Sequence, residues 1–158
     1  EAVAWRSCER LAELSARCGV SIHIEGLVSS PFLASGFLLE ALRRYPLRYC
    51  FDIGHMNLAS RRQGFDLYRF AQEVAPYVGS VHVWNNRGIE DYLNYRHIPV
   101  HPSQDPRDGW ADVPRLLSIL GSCGPVILES PLGYPEALGG HDWRDGVRWV
   151  KEILATST

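Results

Sequence analysis

The sequence predicts an α/β protein of the (β/α)8 TIM-barrel type, in which this chain supplies about four βα units with parallel strands. Two observations carry that expectation. Four short apolar runs, SIHIEG, YCFDIGH, SVHVW and VILES, alternate with stretches that read as helix, and strand–helix alternation with short connections implies parallel pairing through right-handed crossovers. Each run closes on a side chain able to bind a divalent metal, namely Glu25, Asp52, His82 and Glu129. In a parallel barrel the strand C-termini converge on one face, where active sites are built.

The first element, residues 1 to about 18, carries Val3, Leu11, Leu14 and Cys18 near helical spacing, and Gly19 stops it. Residues 20–25 read as a strand with Ser21, His23 and Glu25 on one face, because strand side chains alternate. Ser30 and Pro31 supply an N-cap and a first-turn proline for a helix through about Arg44, which Pro46 ends. In the strand 47–53, Cys50 and Asp52 share one face and Tyr49 and Phe51 the other; Gly54 permits a tight exit and leaves His55 just beyond. Asp66 caps a helix with the stripe Leu67, Phe70, Ala71 and Val74. Gly79 closes that unit ahead of strand 80–84.

A connection from Asn85 to about Arg107 follows, with three prolines and both His97 and His101. Loops longer than ~12–15 residues in compact domains are usually functional or disordered, and this one hangs from a candidate metal ligand, so a role in covering a site is expected. Asp108 reads as the cap of a helix with Trp110, Val113, Leu116, Leu117 and Leu120; Gly121 and Gly124 break it, Val126–Glu129 forms the fourth strand, and the last helix runs from about Asp142 to Leu154.

Composition sets the outer bounds. The 158 residues suit a single domain, 1–158, and a hydrophobic content of 46% can supply its core. No apolar stretch is long enough for a membrane span, and the N-terminus is charged throughout, without a signal-peptide pattern. A net charge of −2 without a basic run speaks against a nucleic-acid footprint. Cys8, Cys18, Cys50 and Cys123 lack C-x-x-C spacing, so a reducing, cytoplasmic setting is expected. Four units make half of an eight-unit barrel, which would leave open edges and an exposed interior. A missing N-terminal half, or a second copy in a homo-oligomer, is therefore expected to close it, and an N-terminus that starts within a helix favours the missing half.

Taken singly, each of the four side chains has an ordinary explanation: Glu25 a solvated strand end, Asp52 a turn former or helix cap, His82 a satisfied core histidine, Glu129 a loop carboxylate. Together they occupy the equivalent place in four successive units, and a carboxylate facing into a barrel is costly without a partner. Two glutamates, an aspartate and a histidine make an oxygen-rich first shell for a divalent ion.

FDIGHMNLA resembles the Asp-x-x-His strand end of the xylose-isomerase-like barrel superfamily, the group of sugar isomerases and epimerases that also contains endonuclease IV. VHVWNN is similar to its His-bearing strand, RHIPVHPSQDPRDGWADV to its His-x-Pro segment, and VILES to its Glu-bearing last strand. The resemblance covers essentially the whole chain, matched to the C-terminal half of that barrel. It implies that Glu25, Asp52, His82 and Glu129 hold one divalent ion, Mn²⁺ or Mg²⁺ first and Co²⁺ or Zn²⁺ next. His55, His97 and Arg87 would touch a small sugar-like or keto-polyol substrate, with Arg96 a further candidate. Carbonyl chemistry fits: the ion polarises a ketone or aldehyde and its neighbouring hydroxyl, stabilising an enediolate as a proton leaves the adjacent carbon, while Glu25 and Glu129 act as base and acid.

A dehydratase or lyase of the same group would begin with the same proton abstraction. An endonuclease IV-like phosphodiesterase is the hydrolytic alternative, and a non-catalytic, assembly-dependent half barrel is the remaining one. Members with a three-metal hydrolytic site carry an Asp-x-His pair where Tyr95 and His97 stand here, and an acidic residue where Asn85 stands; both departures speak against multi-metal cleavage. For His97 a place beside the site and an exposed loop position remain open, with His101 its substitute under a shifted register. His23 reads as a satisfied core histidine, and His141 as a surface residue near the last helix.

Overall fold

A single parallel sheet organises the chain. The structure, a computed structural model, describes residues 2–28, 36–120, 123–130 and 133–156. The strands β1 (His23–Glu25), β2 (Arg48–Asp52), β3 (Val78–Val83) and β4 (Val126–Leu128) lie side by side in chain order. Every neighbouring pair is parallel, so all four C-termini open on one edge, as the strand–helix alternation predicts. The expectation of an α/β chain with about four parallel βα units is met.

The helices are α1 (Ala2–Cys18), α2 (Phe37–Arg44), α3 (Ile53–Gln63), α4 (Leu67–Val74), α5 (Ile89–Tyr95), α6 (Val113–Leu120) and α7 (Trp143–Thr156). One apolar cluster joins Tyr49, Phe51, Val81 and Val83 of the sheet to Leu42 of α2, Met56 of α3, Phe70 of α4, Leu116 and Leu117 of α6 and Val150 of α7. With a period of two, the residues between them, Cys50, Asp52, Ser80 and His82, point to the opposite face, as do Ile127 and Glu129 by register. That face is polar apart from Cys50 and Ile127, and Ile127 is 44% exposed. Among the described residues no helix is long and apolar enough to cross a membrane.

Several elements depart from the sequence reading. The first strand is three residues long because its pairing begins only at His23, opposite Arg48. The predicted cap Ser30 and the proline Pro31 lie outside the described residues, as does Gly121; α2 itself starts at Phe37, after Gly36 in a left-handed conformation, later than the predicted helix start. Gly79 does not precede the third strand but lies inside it, where the pairing slips between Tyr49–Val78 and Cys50–Ser80. A side chain there would collide with the His23 ring and the Cβ of Arg48. Asp66 caps α4 as expected, accepting from the backbone N–H of Tyr68 and Arg69, but α6 starts four residues later than predicted. Asp108 ends a short 3-10 turn instead, Gly109 takes a left-handed conformation, and Asp112 accepts from the N–H of Arg115 to open the helix. Trp110 falls outside α6, in a small cluster with Ile98 and Tyr134.

Two helices had no sequence signal. α3 springs directly from β2, and all of Ile53 to Ser60 is buried; a helix enclosed on all sides shows no one-sided stripe. α5 lies within the predicted long connection and fails the same test from the other side, since its apolar Ile89 and Leu93 are exposed. Gly54, read as an exit turn, is the second residue of α3. A Cβ there would overlap the fused carbons of the buried Trp84 indole. Gly54→Ala is accordingly expected to cost about 2–3 kcal/mol, the upper part of the overpacking range, measured by thermal or urea unfolding; wild-type stability would show that the indole has room to move.

Candidate metal centre

Strand register brings the four predicted side chains together. Asp52 is paired with His82 across β2 and β3, Glu25 with Cys50 one inward step below, and Glu129 follows Ile127, the partner of His82, by two residues. All four therefore share the polar face at the C-terminal edge. One ligating atom from each lies within 4.8 Å of those of the other three. The Nδ1 of His82 sits 2.9 Å from Glu129 Oε2, 3.9 Å from Glu25 Oε1 and 3.9 Å from Asp52 Oδ2.

Asp52 is the deepest member, with no exposed surface. Its two oxygens have different donors: Oδ1 accepts from the backbone N–H of His55 at 2.6 Å, which also caps α3, and Oδ2 accepts from the Trp84 indole N–H at 2.9 Å. Burial pushes its carboxyl up to about 8, and the charges of Glu25 and Glu129 add to that, while the two hydrogen bonds pull the other way. Three carboxyl groups converging on one point oppose full ionisation unless a positive charge joins them.

The geometry around His82 fits such a charge. His82 Nδ1 and Glu129 Oε2 approach closely, yet among the described residues both are buried atoms without a hydrogen-bond partner. A close pair that fails the angular requirement of a hydrogen bond is what two donor atoms aimed at a common third atom produce. Three carboxylates and one imidazole form an oxygen-dominated set suited to Mn²⁺ or Mg²⁺, with Co²⁺ or Zn²⁺ also compatible with the imidazole. The donor set fits a resident divalent cation.

His55 and His97 flank the cluster. His55, at the start of α3, places Nε2 4.0 Å from Glu25 Oε1, and its Nδ1 is buried without a partner among the described residues. Burial first, and neighbouring His97 next, depress its pKa to about 4, so it presents a neutral imidazole across the physiological range. His97 Nδ1 lies 3.1 Å from the backbone oxygen of Glu129. A carbonyl only accepts, so Nδ1 carries a proton there. The ring of His97 stacks on Trp84 at 4.1 Å and 14°, and Tyr92 of α5 completes the aromatic group. Beside it runs an open cleft of about 760 Å³ lined by Tyr95, Arg96, His97, Leu128, Glu129 and Ser130.

The Arg87 guanidinium is tied to Asp91 by bonds of 2.8 and 2.9 Å and lies over the Trp110 ring, so a substrate would have to compete with that pairing. Arg96 lines the cleft with its backbone at φ 61°, a conformation rare outside glycine and short polar residues. Of the two loop histidines, His97 is the one beside Glu129. His101 stacks on His141 at 3.8 Å, with Ser103 hydrogen-bonded to both. His23 has both ring nitrogens engaged, by Ser80 at 2.8 Å and Ser21 at 3.1 Å, as a satisfied histidine should. Asn85 is fully buried and spends its amide on Gln104 and Ala111.

The residue that sequence reading missed is Trp84. Its N–H reaches the Asp52 carboxylate across 32 positions of chain. Asn57 and Asn86 were also missed: Asn57 donates to the Asn86 carbonyl and Asn86 to the Gly54 carbonyl, tying the start of α3 to the turn after β3. The neighbouring asparagines after VHVW were the only available signal. In comparisons with known proteins, no family model matches the chain, and no curated protein matches it.

Proposed function

We propose that the chain is the C-terminal half of a xylose-isomerase-like (β/α)8 barrel and acts as a divalent-metal-dependent isomerase or epimerase on a small sugar or keto-polyol. The observation that carries the reading is the convergence of Glu25, Asp52, His82 and Glu129 within 4.8 Å at the C-terminal edge of a parallel sheet, where barrel enzymes build their sites. The half-barrel assignment is supported by the sequential strand order, by β1 and β4 having one partner strand each among the described residues, and by Ile127 exposed on the site face. A preceding half, or a second copy of this chain, would cover that face and supply the rest of the pocket.

A bound Mn²⁺ or Mg²⁺ would supply electrophilic polarisation of a substrate carbonyl and its neighbouring hydroxyl. Glu25 and Glu129 stand on opposite flanks of His82, 3.9 and 2.9 Å from its Nδ1. From there one takes the proton on the carbon next to the carbonyl and the other returns a proton, the pattern of an acid–base pair. Neutral His55, free at Nδ1 among the described residues, donates or accepts a hydrogen bond at a substrate hydroxyl. His97, held by Trp84 and the Glu129 carbonyl, offers Nε2 from the cleft side. A dehydratase or lyase would use the same first proton transfer. The engagement of Asn85 within the fold argues against an endonuclease IV-like multi-metal site.

Titration with Mn²⁺ followed by calorimetry and electron paramagnetic resonance tests the metal reading, with one tight site per chain expected. The loaded protein is then incubated with a panel of small ketoses in D₂O, and deuterium should enter at the carbon next to the carbonyl. No ion bound at submillimolar Mn²⁺ would leave the non-catalytic half barrel as the better account. Metal binding without exchange on any ketose would overturn the isomerase assignment alone.

A further inference from the structure

Burying a carboxylate without exposed surface demands a donor for each oxygen. Asp52 Oδ1 has a backbone donor at the start of α3; Oδ2, the oxygen that faces His82, has the indole N–H of Trp84, and no other donor reaches it among the described residues. Trp84 follows His82 by two residues, so the alternation of β3 carried one residue past its end turns the indole to the same side as the imidazole.

Its position is defined by more than that one bond. The ring is fully buried. It lies against Gly54, where a Cβ would overlap it. His97 stacks flat on it, and His55 meets it edge-on at 5.1 Å. One side chain thereby touches Asp52 by a hydrogen bond, and His97, itself bonded to the Glu129 backbone, through its face.

We propose that Trp84 is a positioning residue: its indole N–H fixes the oxygen that Asp52 turns toward the cation, and its ring links that carboxylate to His97 and the α5 segment. The role rests on the metal reading above and extends it to a residue that is not itself a ligand. A partner outside the ligand set that orients a coordinating group typically carries about 10–100-fold of metal affinity. The lone donor on a fully buried carboxylate oxygen belongs in that range.

Trp84→Phe removes the N–H and keeps an aromatic ring, and Mn²⁺ affinity is expected to fall about 10–100-fold by calorimetry. Leu117→Ala, a deletion in the buried face of α6, serves as the control for destabilisation alone and should bind Mn²⁺ as the wild type does. A second measurement needs no folded Trp84 variant. In the wild-type protein labelled with ¹⁵N-tryptophan, the Trp84 Nε1–H resonance should shift on adding Mg²⁺; it is assigned by Trp→Phe changes at the other four tryptophans. Affinity of a folded Trp84→Phe protein within about twofold of wild type, or a Trp84 resonance that Mg²⁺ leaves unmoved, would overturn the role. Failure of the wild type to bind either ion would instead sink the metal reading itself.

Discussion

Glu129→Gln is expected to remove turnover while leaving substrate binding in place. Glu129 is 41% exposed at its side chain and faces the cleft, so a neutral amide of nearly the same shape fits without a packing cost. Gln keeps one oxygen for coordination but cannot take up a proton at neutral pH. A positioned acid or base contributes about 10²–10⁴-fold to rate, and kcat should fall by that factor at saturating Mn²⁺, with KM nearly unchanged. Steady-state kinetics on whichever ketose shows deuterium exchange, together with a Mn²⁺ titration of the variant, provides the check. Full activity in Glu129→Gln would refute the assignment of Glu129 as a proton-transfer group.

The second large effect is expected at Asp52. Asp52→Asn should lower Mn²⁺ affinity by more than about 100-fold, beyond the loss from an orienting partner outside the ligand set, because it removes the only carboxyl group of the four proposed ligands that has no exposed surface. It also leaves a mismatch: both oxygens of Asp52 accept from N–H groups, whereas an amide has one accepting oxygen, so its NH₂ must oppose His55 or Trp84.

The wild-type pH profile follows from the same carboxyl. A group held near pH 8 in the fold keeps its proton between about pH 4 and 8, a range in which the unfolded chain has lost it. Its contribution to stability therefore declines as pH rises through that window. Cation binding must displace the proton, so Mn²⁺ affinity should climb with pH and level off above about 8. Calorimetry from pH 6 to 9 would show the climb in the wild type, and a flat wild-type profile would mean that Asp52 is not a ligand.

Much of this centre was legible in the chain because strands report their geometry locally. Alternation with a period of two tells which residues share a face, and the apolar runs locate the strand ends; Glu25, Asp52, His82 and Glu129 follow from those two facts and parallel pairing. Their convergence within 4.8 Å is the register of the sheet made visible. The helices were uneven. α4 carries a one-sided stripe and a capping aspartate and was read correctly. α3 was invisible because it is buried all round, and α5 because its apolar residues face outward. The start of α6 was misplaced because Asp108 and Asp112 are both plausible caps, and only Gly109, in its left-handed conformation, separates the turn of one from the helix of the other.

From the chain alone came the α/β alternation, the parallel order and the four convergent side chains, all consequences of patterns a few residues long. Tertiary structure alone decided which histidine of the loop lies beside Glu129, where the Arg87 guanidinium is tied and what holds Asp52. Those answers depend on contacts between positions tens of residues apart, such as Trp84 with Asp52 and His97 with Glu129. A hydrogen bond depends on distance and angle in space, and no local periodicity encodes either.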